Sequence, residues 1–118
     1  MKYAALRDKV RAGGVAFYHM TWGSYSINDI SAITSYFFKF SSDDTTRDPE
    51  VRDWLEAGDT SIDPGVRKTN YDKALKRIAE QVYWLPMFTL AINYAYTNDL
   101  DFTPRKDEIP RFFTAKWK

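Results

Sequence analysis

The pentapeptide Trp22-Gly23-Ser24-Tyr25-Ser26 places an indole, a phenol and two hydroxyls where an apolar run gives way to a loop. Rings with a polar handle stack on ligands and hydrogen-bond them, so these residue types suit recognition rather than bond-making. In open α/β folds, ligand groups gather at strand ends of this kind. Trp22, Ser24, Tyr25 and Ser26 are therefore the candidate ligand-binding residues. Ring packing alone would produce the same pattern, and the two readings carry equal weight.

The remaining chemistry is sparse. His19 is the only histidine and stands inside an apolar run. A general base needs a partner within hydrogen-bond reach, and no spacing supplies one, so a structural histidine is expected. Asp43, Asp44 and Asp48 form an acidic patch, but a calcium loop needs a bidentate Glu at its twelfth position. Counted from Asp43, that position is Trp54. A solvated, exposed loop is the reading for Ser41 to Arg47. No phosphate-cradling glycine loop or nucleophile elbow is present. The expectation is a non-enzyme with no catalytic residues, no metal ligands and no cofactor.

Composition narrows the classes further. At 118 residues the chain is one domain at most. A net charge of +1 gives no electrostatic case for nucleic acid or an acidic membrane surface. Cysteine is absent, which removes disulfides and thiolate chemistry. No run approaches the ~20 apolar residues of a membrane span, so no membrane insertion is expected. Met1 to Arg7 lacks an apolar signal-peptide core, and Asp8, Lys9 and Arg11 follow at once. Aromatic residues make up 17 %, which predicts a ring-rich core and interface.

These residues must be positioned by a mixed set of elements. Tyr3 to Arg11 reads as a helix closed by Gly13-Gly14. Val15 to Trp22 is apolar on both faces and reads as a buried strand. Asn28 or Asp29 caps a helix over Ile30 to about Phe40, with Ile30, Ile33, Phe37 and Phe40 on one side. Asp48-Pro49 opens a helix with Val51, Trp54 and Leu55 buried, ended by Ala57-Gly58. Asp63-Pro64 opens a longer one with Tyr71, Ala74, Leu75, Ile78 and Val82 as its apolar stripe. Arg67, Lys68, Lys73, Lys76 and Arg77 alternate with Asp63, Asp72 and Glu80 as a solvated, ion-paired face. Pro86 cannot continue that helix. Met87 to Tyr96 reads as a strand, Asn98-Asp99 as a turn, and Phe102-Thr103-Pro104 and Arg111 to Thr114 as short extended pieces. The order favours a mixed α/β class.

Five segments, in order, resemble the C-terminal part of a bacterial extracellular solute-binding protein of the peptide/nickel class that serves ABC importers. They are Thr21-Trp22-Gly23-Ser24-Tyr25-Ser26, Pro49-Glu50-Val51 to Leu55, and Asp63-Pro64 with Arg67 and Tyr71. Trp84-Leu85-Pro86-Met87-Phe88 follows, then Tyr94-Ala95-Tyr96 with Phe102-Thr103-Pro104. The resemblance implies part of a two-lobed type II periplasmic-binding fold. Residues 1–104 would belong to the second lobe, and 105–118 would be a tail returning to the first.

It also implies a periplasmic protein that captures a peptide or other small solute and delivers it to an ABC permease. Peptide binders of the family often carry an acidic residue after the Trp; Tyr25 stands there instead, so that ion pair is not expected. The alternative is a stand-alone interaction module, self-associating through its aromatic surface, with a homodimer as the partner state.

Overall fold

The computed structural model describes residues 2–23, 29–105 and 109–118. These residues divide into two compact units. The first comprises residues 2–22 and 29–86 and holds four helices: α1 (Tyr3–Arg11), α2 (Ser31–Phe37), α3 (Pro49–Thr60) and α4 (Pro64–Glu80). The second comprises Gly23 with the described residues from 87 onward. It holds β1 (Leu100–Asp101), a single 3-10 turn at Phe112–Thr114 and β2 (Lys116–Trp117). The chain is thus mixed helix and strand, with helix dominant. No helix among the described residues is long and apolar enough to cross a membrane.

The helix ends follow from local chemistry. Asp48 accepts from the amides of Glu50 and Val51, and Asp63 accepts from those of Gly65 and Val66. Each carboxylate satisfies amides that have no partner inside the helix, and each is followed by Pro at the first helical position. At the end of α1, Gly13 donates to the Val10 carbonyl and Gly14 to that of Lys9, with Gly13 at φ 71°. This is the paired-bond stop that a left-handed glycine makes easy. The end of α4 uses the same bonds, Val82 to Ala79 and Tyr83 to Ile78. There the left-handed position, φ 53°, is taken by Val82, a β-branched residue that pays a steric penalty in that region.

The core of the first unit lies between α2, α3 and α4. Val51, Leu55 and Ala74 are fully shielded, joined by Phe37, Phe38, Tyr71 and Ile78. Met20, Ile33, Trp54, Tyr83 and Trp84 pack against them. The Trp84 ring meets Phe37 at 4.9 Å and Phe38 at 5.2 Å. Burying an aliphatic side chain such as Leu55 contributes about 1.5–3 kcal/mol, so this cluster is the main stabilising feature of the unit.

Five sequence expectations are corrected here. Val15 to Trp22 forms no strand, and Phe17 is 78 % exposed, because no ladder partner is supplied among the described residues. His19 accordingly lies exposed rather than inside a buried strand. Met87 to Tyr96 likewise joins no ladder, and most of it is exposed. Gly58 does not end α3. It sits buried inside the helix, where an added Cβ would lie 3.0 Å from the Tyr71 ring. Leu75 and Val82 are exposed, so the buried stripe of α4 narrows to Tyr71, Ala74 and Ile78.

Other boundaries shift less. α2 stops at Phe37, three residues before the expected end, because Ser41 donates its hydroxyl to the Tyr36 carbonyl and the chain turns at Phe40, φ 61°. The second unit is held by two register pairs, Leu100 with Trp117 and Asp101 with Lys116. Arg111 to Thr114 turns rather than extends. Phe102 is the buried ring of this unit, packed by Tyr94, Tyr96 and Phe112.

Candidate functional site

Trp22 forms part of the lining of a small recess in the first unit, together with Tyr3, Arg7, Met20, Tyr36, Phe37 and Asp43. Its ring stacks on Tyr36 at 4.9 Å and meets Phe37 edge-on at 5.1 Å. Trp22 keeps 37 % of its surface exposed, so it is at once packed and accessible. Ser24, Tyr25 and Ser26 lie outside the described residues. Of the four candidate ligand contacts, the structure therefore locates Trp22.

Asp43 is 6 % exposed and collects three donors in this recess. Arg7 reaches Oδ2 at 2.6 Å, and Arg11 is bidentate, with both bonds at 2.9 Å. The Tyr36 hydroxyl donates at 2.7 Å and accepts from Arg7 at 2.9 Å. Hydrogen bonds from Arg11, opposed by burial and reinforced by Arg7 and Tyr36, hold the Asp43 carboxyl far below the usual carboxylate range. A carboxylate so held is a poor proton acceptor. Its role is to orient the two guanidiniums and Tyr36, the ring on which Trp22 stacks. The recess thus sets the rings of Tyr3, Trp22, Tyr36 and Phe37 around a mutually neutralised Arg7–Asp43 pair.

Burial of Asp43 corrects the expectation of a solvated acidic loop, and its neighbours share the correction. Asp44, 4 % exposed, accepts from the amides of Phe40, Thr46 and Arg47 and from the Thr46 hydroxyl. Phe40 and Arg47 are both left-handed, and this one carboxylate ties both in place. Asp48 caps α3 and also accepts from Arg77 at 2.6 Å and the Tyr83 hydroxyl at 2.9 Å. Burial pushes the Asp48 carboxyl up, but the bonds from Arg77, Tyr83 and the two capped amides outweigh it, leaving it low.

A further carboxylate, Asp59, accepts from Ser35, Lys39 and Tyr71. Burial and then the Asp59 bond push the Tyr71 phenol up to about 12. Arg67 and Arg77 also leave the solvated face expected for α4. Arg67 bonds Asp29 at 2.6 Å and the Gly58 carbonyl at 3.0 Å, and lies over the Tyr71 ring. Arg77 spans Asp48 and Glu50. Lys68 with Asp72 and Lys76 with Glu80 are exposed i,i+4 pairs, as expected.

Among the described residues, every buried side-chain polar atom has a partner, and no His, Cys, Asp and Glu group has the grouping of a metal site. Sequence reasoning passed over Arg7 and Tyr36 as site residues and read Asp43 as part of a solvated loop. The available signal was Arg7 and Arg11 four apart on one face of α1, a guanidinium pair in need of a carboxylate. Family models, curated proteins and solved structures show no match to this chain.

Proposed function

We propose that this chain is the solute-facing segment of a substrate-binding protein of the peptide/nickel ABC-importer class, part of a two-lobed type II periplasmic-binding fold. The observation that carries the reading is the order of its five motif segments, from Trp22 through Pro104. In this reading Trp22 and its recess form one wall of a pocket, with Ser24, Tyr25 and Ser26 as polar contacts. The other wall comes from the partner lobe. Domain closure captures a peptide or other small solute, and a membrane permease in the periplasmic setting receives it. No bond chemistry is assigned: Asp43, Asp48 and Asp59 are each engaged by several donors, which favours a positioning role over proton transfer.

A second reading, a stand-alone interaction module, is favoured by the exposure of Phe112, Phe113 and Trp117 in the second unit. Neighbouring permease and ATPase genes would support solute capture, and an isolated gene would support the module.

Calorimetric titration tests the first reading. A pocket that buries most of its ligand needs both walls. The 118-residue chain should therefore bind short peptides, sugars or nickel no tighter than about millimolar. In a longer gene product containing it, Trp22→Ala should weaken solute binding by ~1–3 kcal/mol. Trp22 also stacks on Tyr36, so the alanine variant will melt lower, and Trp22→Phe separates packing from binding. Micromolar binding by the 118-residue chain, or unchanged affinity in Trp22→Ala, would overturn the proposal.

A further inference from the structure

Residues 87–97 read Met-Phe-Thr-Leu-Ala-Ile-Asn-Tyr-Ala-Tyr-Thr, without a charge, a proline or a glycine. From 88 to 96 the large side chains fall on alternate positions: Phe88, Leu90, Ile92, Tyr94 and Tyr96. Thr89, Ala91, Asn93 and Ala95 take the others. That is a strand period with one bulky face. Yet these residues belong to no ladder among the described residues, and Phe88, Leu90 and Tyr96 expose 64 %, 55 % and 48 % of their surface. Natural edge strands are guarded by charge, proline or a bulge against pairing with another chain. Residues 87–97, with a strand's period but no partner strand among the described residues, carry no such guard between Pro86 and Asp99.

We infer that residues 87–97 pair with the same segment of a second copy, antiparallel and centred on Ile92. Three observations select a copy of this chain as the occupant. The stretch is uncharged, so it meets itself without like-charge repulsion and offers a charged partner nothing to pair with. Centring on Ile92 sets Phe88 against Tyr96, Leu90 against Tyr94 and Ile92 against itself, so each large side chain meets a large one on the same face. The flanks then choose the direction. Parallel pairing would set Asp99 against Asp99, whereas the antiparallel register sets Asp99 beside Leu85. The unit carrying this segment also needs outside support. Its regular ladder is two residues long, and Phe102 is its buried hydrophobic residue among those described. A two-stranded ribbon of that size is marginal by itself. This inference goes beyond solute capture and does not depend on it.

The test uses the full chain. Light scattering across about 1–100 μM, a range that brackets micromolar association, should show a mass rising from one chain to two. Ile92→Lys places two ammonium groups face to face and should abolish the dimer. Asn93→Lys, on the other face, should leave it intact. Helical circular dichroism confirms that both variants fold, since α1 to α4 lie outside the segment. Because the chain has no cysteine, Ile92→Cys with oxidised glutathione provides a second readout. A residue opposite its own copy should cross-link at least tenfold faster than Leu90→Cys, which would face Tyr94. A single-chain mass at 100 μM, open-ended growth into fibrils, equal cross-linking at 90 and 92, or an unaffected Ile92→Lys dimer would each overturn the inference.

Discussion

Arg77 Nε donates to Asp48 Oδ2 at 2.6 Å, tying the last turn of α4 to the first turn of α3. The same carboxylate receives the Tyr83 hydroxyl and caps α3 through Oδ1. One side chain therefore fixes a helix start, a helix pairing and the exit from α4. Among the described residues, its counterpart Asp63 has only its cap to maintain, and it lies exposed.

That contrast sets the first expectation. Asp63→Ala should cost about 1 kcal/mol, the usual loss for a cap. Asp48→Ala should cost ~2–4 kcal/mol, because it also strands the hydrogen-bond partners Arg77 and Tyr83. Urea unfolding with unchanged slope checks this. Equal costs would mean the Arg77 bond contributes nothing.

Gly58→Ala should destabilise despite a gain in helix propensity. The new methyl would lie 3.0–3.2 Å from three atoms of the Tyr71 ring, itself buried. Overpacking costs ~1–3 kcal/mol, against a propensity gain of about 1 kcal/mol. A thermal melt that rises on this substitution would show that α3 and α4 separate freely.

Val82→Gly should stabilise by ~0.5–1 kcal/mol. The residue is 70 % exposed, so little packing is lost, and glycine removes the left-handed penalty. Val82→Pro should do the reverse, since it forbids φ 53° and removes the amide bonded to Ala79. Paired melting curves decide the sign.

Stability should fall on both the acid and the alkaline side. Asp43, Asp48 and Asp59 sit below their ordinary values when folded. Their contribution is complete above the unfolded pKa of about 4 and is lost as pH drops from there toward the folded values. Tyr71 is raised to about 12 when folded. Its contribution is complete below about pH 10 and is lost as pH climbs from 10 to 12. Unfolding midpoints between pH 2 and 7 should slope for the parent and flatten in part for Asp43→Asn. Absorbance at high pH should show Tyr71 ionising late, and Tyr71→Phe should remove that step.

The legible parts of this chain were those written locally. Asp48-Pro49 and Asp63-Pro64 mark both helix starts because cap and proline act within three residues. Gly13 marks the α1 stop for the same reason. Asp43 looked solvated because its partners lie 32 and 36 residues upstream, on α1. Gly58 resembled a stop because sequence does not reveal the Tyr71 ring that requires its missing side chain. Strand composition at 15–22 and 87–96 was readable, but a ladder depends on a neighbour that local pattern does not specify. Of the candidate site, Trp22 was legible as a ring at a segment end; the Arg7, Tyr36 and Asp43 cluster lining the same recess was not.

Core burial is unevenly shared between the two units, and calorimetry should register that. Unfolding enthalpy follows packed residues, about 0.7 kcal/mol for each near 60 °C. Among the described residues, the buried apolar side chains other than Phe102 all belong to the first unit. Divided over 118 residues, the measured heat should fall short of that figure while the transition stays sharp. In a calorimeter the protein would pass for a shorter one.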